Sequence, residues 1–281
     1  MDFSIKENIL IDKIIEQALL EDIGTGDITS ESIVPSNLKA KGIIKTSEKG
    51  VIAGLNITSL VFKKLDSEII FQEKIKDGTK VARGKVLAEI TGSARTILKG
   101  ERVALNFLQR MSGIATITSK FCREVEDFPV RIVDTRKTTP GLRILEKYAV
   151  SMGGGHNHRF GLYDAVLIKD NHITVAGGIR PAVDSVRKQI SHTVKIEVEV
   201  ENLSQLQDAL RVKADIIMLD NMDLATMEEA VKIAKGKALI EASGGITLGK
   251  VRKIAQTGVD LISIGSLTHS VKSLDISMEI V

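Results

Sequence analysis

Sulfur and aromatic side chains are scarce in this chain. Cys122 is its one cysteine, so no internal disulfide and no cysteine-built zinc cluster can form, which suits a reducing compartment. Tryptophan is absent and aromatic residues make up 3%, with no block of lysine and arginine. A base-stacking platform for nucleic acid therefore has little to be built from, and a net charge of +3 is too small to suggest one. Long apolar runs are missing as well: nothing approaches the ~20 residues of a membrane span. The opening MDFSIKENILIDKIIEQALL is interrupted by charges and does not read as a signal peptide. What is present, 43% hydrophobic and 27% charged over 281 residues, is the composition of a globular protein with a substantial core. The expectation is a cytoplasmic protein with no membrane and no nucleic-acid partner.

Ser4 and Glu7 form a capping-box pattern ahead of Ile5, Ile9, Ile15 and Leu19, which predicts an N-terminal amphipathic helix. EDIGTGDITS breaks it and reads as a turn. Residues 40–92 read as short strands joined by turns. Within them KDGTKVARGKVLAEITG is similar in shape to lipoyl and biotinyl modules, without the lysine hairpin of a carrier. Val103, Phe107 and Met111 then share one stripe of a helix.

From there the grammar becomes a repeat of a short apolar run, a polar or glycine residue, and a helix. The runs are VRIVDTRK, DAVLIKDN, VKIEVEVE, ADIIMLDN, KALIEASGG and VDLISIGS. This is the signature of βα units in a parallel barrel, incomplete with six strands, whose active site would lie at the carboxyl ends of the strands. Those ends carry Arg136, Lys137, Lys169, Glu199, Asp220, Ser243 to Gly245, Gly265 and Ser266, with His158 and Arg159 just before one strand. The last residues, LDISMEIV, alternate as a half-buried antiparallel strand that should return to the N-terminal domain.

Taken singly, each rim cation is as readily a surface ion pair. Clustered, two cations 4 Å apart repel by roughly 4 kcal/mol at an effective dielectric near 20, so the group calls for a ligand with several negative charges. The SGG and IGS turns after the last two strands suit a phosphate held by backbone N–H groups. Glu199 and Asp220 could bind Mg²⁺ directly or through water, face a carbocation, or simply bridge to Lys169. His156 and His158 read HxH, but no third ligand is evident, so a transition-metal site is not expected. The glycines of GGGHNHRFGLYDAVLIKDNH read as a mobile lip. These residues leave phosphoryl and phosphoribosyl transfer unseparated.

EDIGTGDITS, ERVALNFLQRMSGIAT, DTRKTTPGLR, GGGHNHRFGLYDAVLIKDNH, EVEVENL, MLDNM, EASGGI and SIGSLTHS, in this order, resemble the signatures of the quinolinate phosphoribosyltransferases over almost the whole chain. The resemblance implies an α/β fold: an N-terminal open sandwich over 1–112, an incomplete α/β barrel over 113–266, and 267–281 returning to the first as a joining strand. It implies transfer from phosphoribosyl pyrophosphate (PRPP) to quinolinate with decarboxylation, using Mg²⁺ and no organic cofactor. A homodimer with shared active sites is implied, a higher oligomer being left open. Arg102 would be lent by the partner subunit. Arg136, His158, Arg159 and Lys169 would hold quinolinate, with Lys137 nearer PRPP and Thr135 also binding substrate; Lys137, Lys169, Glu199 and Asp220 would be the catalytic residues. Glu199 and Asp220 would lie beside the ribose and Mg²⁺. Ser243, Gly244, Gly245, Ile264, Gly265 and Ser266 would cradle the 5′-phosphate. Two rivals are a class I aldolase with Lys169 as Schiff base and a molybdenum-transport-associated member of the same family.

Overall fold

The computed structural model describes residues 5–281, with side chains from residue 7 onward. The chain divides into two compact units. The first comprises Met1–Ser119, Thr138–Gly154 and Leu267–Val281; the second comprises Lys120–Lys137 and Gly155–Ser266.

The first unit holds α1 (Ile5–Ile23), α2 (Ile28–Ile33), β1 (Lys39–Thr46), β2 (Gly50–Val51), α3 (Leu55–Leu65), β3 (Ile70–Glu73), β4 (Lys80–Val81) and β5 (Val86–Ser93). It also holds most of α4 (Ala94–Glu124), α5 (Arg143–Met152) and β12 (Ile276–Ile280). The N-terminal helix forms, but its buried stripe is Ile11, Ile15 and Leu19, spaced four apart; Ile9 faces solvent at 54% exposure. Ser4 of the expected capping box lies outside the described residues. The GTGD turn ends on Asp27, which caps α2 by accepting from Ser30 N–H at 3.0 Å.

The all-strand reading of 40–92 fails at α3. Leu55, Thr58 and Phe62 bury one helical face, and the cap comes from far along the chain: Asp77 accepts from Gly54 N–H at 2.8 Å and from Leu55 N–H at 3.1 Å. The strands form an antiparallel sheet in the order β12-β1-β5-β3, so the C-terminal strand does return, with Ile44 opposite Met278. Val103, Phe107 and Met111 are buried on α4 as expected. Gly153, the first of the three glycines, is a packing residue. A Cβ there would meet Ala115 O at 2.5 Å, so glycine lets the end of α5 approach α4.

The second unit holds β6 (Arg131–Val133), β7 (Val166–Ile168), α6 (Asp170–Ala176), α7 (Ile179–Arg187), β8 (Ile196–Val200), α8 (Leu203–Arg211) and β9 (Ile216–Asp220). It continues with α9 (Leu224–Ala234), β10 (Leu239–Ser243), α10 (Leu248–Gln256), β11 (Leu261–Ser263) and the start of α11 (Ser266–His269). All six expected runs are strands of one parallel sheet ordered β6-β11-β10-β9-β8-β7. The two strands first in sequence lie at opposite edges, so the barrel is open between them. His156 covers the edge of β6 through a parallel bridge to Val133, with His156 N–H donating to Ile132 O at 2.9 Å. Along β8, β9 and β10 the two-residue alternation turns Val198, Ile217, Leu219 and Ala242 outward beneath the helices. It turns Glu197, Glu199, Met218, Asp220, Glu241 and Ser243 inward.

Candidate active site

The carboxyl ends of these strands surround a cavity of about 420 Å³. The turn after β6 contributes Thr135, Arg136 and Lys137 to its lining, and the segment before β7 contributes His158 and Arg159. Lys169 follows β7, Glu199 lies on β8, Asp220 and Asn221 end β9, and Ser243, Gly244 and Gly245 end β10. Thus most residues expected at the site line one space. Arg102 does not line it: it is exposed on α4 of the first unit. Ile264 is buried at 2%, and Gly265 and Ser266 lie just beyond it, outside the cavity lining.

Lys169 Nζ donates to Glu199 Oε2 at 2.6 Å, so Glu199 does form the plain ion pair with Lys169. Burial, and after it the neighbouring Arg136 guanidinium, pull Arg159 below the usual arginine range. Arg159 Nη1 is steadied by donating to Ala165 O at 3.0 Å. Two guanidiniums near enough to repel, partly out of water, make this part of the cavity lining electropositive. Asp134, fully buried at the end of β6, fixes the entering segment by accepting from His158 N–H at 2.9 Å and Asn157 Nδ2 at 2.6 Å.

Beneath the rim lie two acids that the reading by strand ends missed, Glu197 and Glu241, at 4% and 0% exposure. Each sits one inward position below a recognised residue, Glu199 and Ser243, and that two-residue spacing was their signal in the sequence. His158 Nε2 lies 3.0 Å from Glu197 Oε2 and 3.6 Å from Glu241 Oε2. These three side chains are the one His/acid cluster of metal-ligand type among the described residues. Yet His158 Nδ1 accepts from Arg159 N–H at 2.8 Å. Its two ring nitrogens thus face a backbone N–H on one side and the two buried acids on the other.

Glu241 has no hydrogen-bond partner for either oxygen among the described residues. Burial, reinforced by Glu197, pushes its carboxyl up to about 7. The folded state then binds a proton that the unfolded chain releases near its ordinary value of 4.5, so stability is full below that value and falls as pH rises toward 7. Glu241→Gln cannot ionise and should lack this fall, a difference on the order of a few kcal/mol by pH 7.5. Thermal unfolding of both proteins from pH 4.5 to 7.5 checks this; parallel profiles would overturn it.

Two family models match the chain: "Quinolinate phosphoribosyl transferase, C-terminal domain" over residues 114–279 and "Quinolinate phosphoribosyl transferase, N-terminal domain" over residues 27–112. Among curated proteins, the "Probable nicotinate-nucleotide pyrophosphorylase [carboxylating]" of Bacillus subtilis is 48% identical over 273 residues, covering 97% of this chain and 94% of its own. The protein of the same name from Methanocaldococcus jannaschii is 46% identical over 278 residues, covering 96% of both. Among solved structures, nicotinate-nucleotide pyrophosphorylase from Francisella tularensis superposes with a TM-score of 0.94 at 40% identity, covering 98% of this chain and 97% of that one. NadC from Streptococcus pyogenes superposes at 0.95 and 42%, covering 100% and 99%.

Proposed function

The chain belongs to the quinolinate phosphoribosyltransferase family, and from that premise we infer that the rim cavity is where it joins quinolinate to PRPP. The reaction releases pyrophosphate and CO₂ and yields nicotinate mononucleotide, a step of NAD biosynthesis. One observation carries the assignment of the site: a single cavity is lined by Arg136, Arg159 and Lys169, by the Gly244–Gly245 turn, and by Glu199 and Asp220.

The residues divide the work by charge. Arg136 and Arg159, with Lys169, can hold the two carboxylates of quinolinate by charge-assisted hydrogen bonds and turn its ring nitrogen toward C1 of the ribose. Gly244 and Gly245 both have positive φ, 95° and 58°, a backbone turn whose N–H groups suit the 5′-phosphate. As pyrophosphate leaves, C1 gains positive charge, and Glu199 and Asp220 are the carboxylates available to stabilise it. The pyridine nitrogen, alkylated and cationic, then stabilises the electron pair left on C2 when the adjacent carboxylate departs as CO₂, and a proton from solvent completes the C2–H bond. This step needs no organic cofactor.

Glu199 and Asp220 offer only oxygen, the ligand that Mg²⁺ prefers, so the residues fit the ion. Glu199 already holds the Lys169 ammonium, which favours contact through water over direct ligation. Bound there, Mg²⁺ would neutralise charge on the departing pyrophosphate. The aldolase reading needs a Lys169 amine free to attack a carbonyl, whereas its Nζ is tied to Glu199. No helix among the described residues is long and apolar enough to cross a membrane, and we place the enzyme in the cytoplasm, as its single cysteine suggests.

Incubation with quinolinate, PRPP and Mg²⁺ should give nicotinate mononucleotide and CO₂ in equal amounts; no product under any condition tried would refute the assignment. Lys169→Ala should weaken quinolinate about 10- to 150-fold, the worth of a charged hydrogen bond, and PRPP less. Steady-state kinetics with each substrate varied in turn would show it, and equal losses for both would contradict this division of roles.

A further inference from the structure

Asn221 is an uncharged residue in the cavity lining with an unusual backbone conformation. It has a φ of 53°, one of two positive values at non-glycine residues among those described. Asparagine tolerates this region better than most residues, but glycine would occupy it at less cost. The side chain makes the difference. Its Nδ2 donates to Asp220 Oδ2 at 3.0 Å, while the backbone N–H donates to Ser243 O at 3.0 Å. Its Oδ1 fills the space beside the next turn: a Cβ built on Gly244 would lie 2.2 Å from it. One residue thus touches both the carboxylate at the end of β9 and the glycine turn at the end of β10. The residue is exposed, and an exposed polar contact of this kind adds little to folding stability. Backbone strain and a precise contact where stability gains little are what a functional site accumulates.

We propose that Asn221 is a positioning residue for phosphoribosyl transfer: its amide orients the Asp220 carboxylate and props the Gly244–Gly245 turn, setting the distance between the ribose and 5′-phosphate ends of PRPP. This rests on the assignment of the cavity to PRPP and quinolinate. The amide touches neither Arg159 nor Lys169 in the pairings above, so its effect belongs to the PRPP side.

Asn221→Gly keeps the positive φ and removes the amide. It should lower kcat/KM for PRPP by about tenfold or more, the worth of a hydrogen bond to a charged group, with quinolinate KM within about twofold and the unfolding midpoint unchanged. Asn221→Asp, equal in size, should also lose PRPP, because it sets a second carboxylate against Asp220. Gly244→Ala should be damaging through the clash as well as its own φ. Adding Asn221→Gly relieves the clash, so the double variant should lose less than the product of the two single losses. Unchanged PRPP kinetics in Asn221→Gly would overturn the proposal, as would equal losses for both substrates with a lowered midpoint. If the unmutated protein forms no product, the function assignment fails. Calorimetric titration with PRPP alone then decides this proposal separately: equal affinity in wild type and Asn221→Gly overturns it, and a loss confined to the variant supports it.

Discussion

Nicotinate in place of quinolinate should be turned over with kcat/KM lower by on the order of 10⁴, the discrimination available to a site built to pair a charged group that the analogue lacks. The two substrates differ by one carboxylate, and both lead to nicotinate mononucleotide. A nicotinate-bound site would still hold Arg136 and Arg159 close together, with burial and mutual repulsion already pulling Arg159 below the usual arginine range. Quinolinate relieves that repulsion with two anionic groups; nicotinate offers one and relieves less of it. Measuring product formation with each acid at saturating PRPP tests the expectation. Nicotinate within tenfold of quinolinate would mean that the guanidiniums serve something other than a dicarboxylate.

Mixing Arg102→Ala with Lys169→Ala, each strongly impaired at low quinolinate, should raise activity once subunits exchange. We propose a homodimer in which Arg102 acts in the neighbouring subunit's site. Its placement accords with this: exposed on α4, absent from the lining of its own chain's cavity, on a helix whose buried stripe is Val103, Phe107 and Met111. Each mixed dimer has one site carrying both lesions and one carrying neither. Random exchange of equal amounts makes half the dimers mixed, so recovery should approach roughly a quarter of wild type. Exchange confirmed by mass-tagged subunits with no recovered activity would show that Arg102 does not serve a partner.

The sequence by itself determined the barrel and most of its rim. Each βα unit carries its information locally, in an apolar run of a few residues followed by a polar end and a helix, so all six strands were readable. Because a parallel barrel puts every strand's carboxyl end on one face, Arg136, Lys169, Glu199 and Asp220 could be gathered before any coordinates were known. Tertiary structure decided what local pattern cannot carry. The α3 helix is capped by Asp77, more than twenty residues away, and its pattern alone passed for strand. The phase of the α1 stripe, Ile11 in place of Ile9, depends on which face the core takes up. Gly153 read only as part of a mobile lip, and its close packing is visible only once Ala115 is beside it. His158 was legible as a rim residue, but its setting between a backbone N–H and Glu197 depends on two partners that only folding brings to its two nitrogens. Charge, hydrogen-bond direction and strain belong to neighbourhoods, and in this chain the neighbourhoods that matter join residues from different strands.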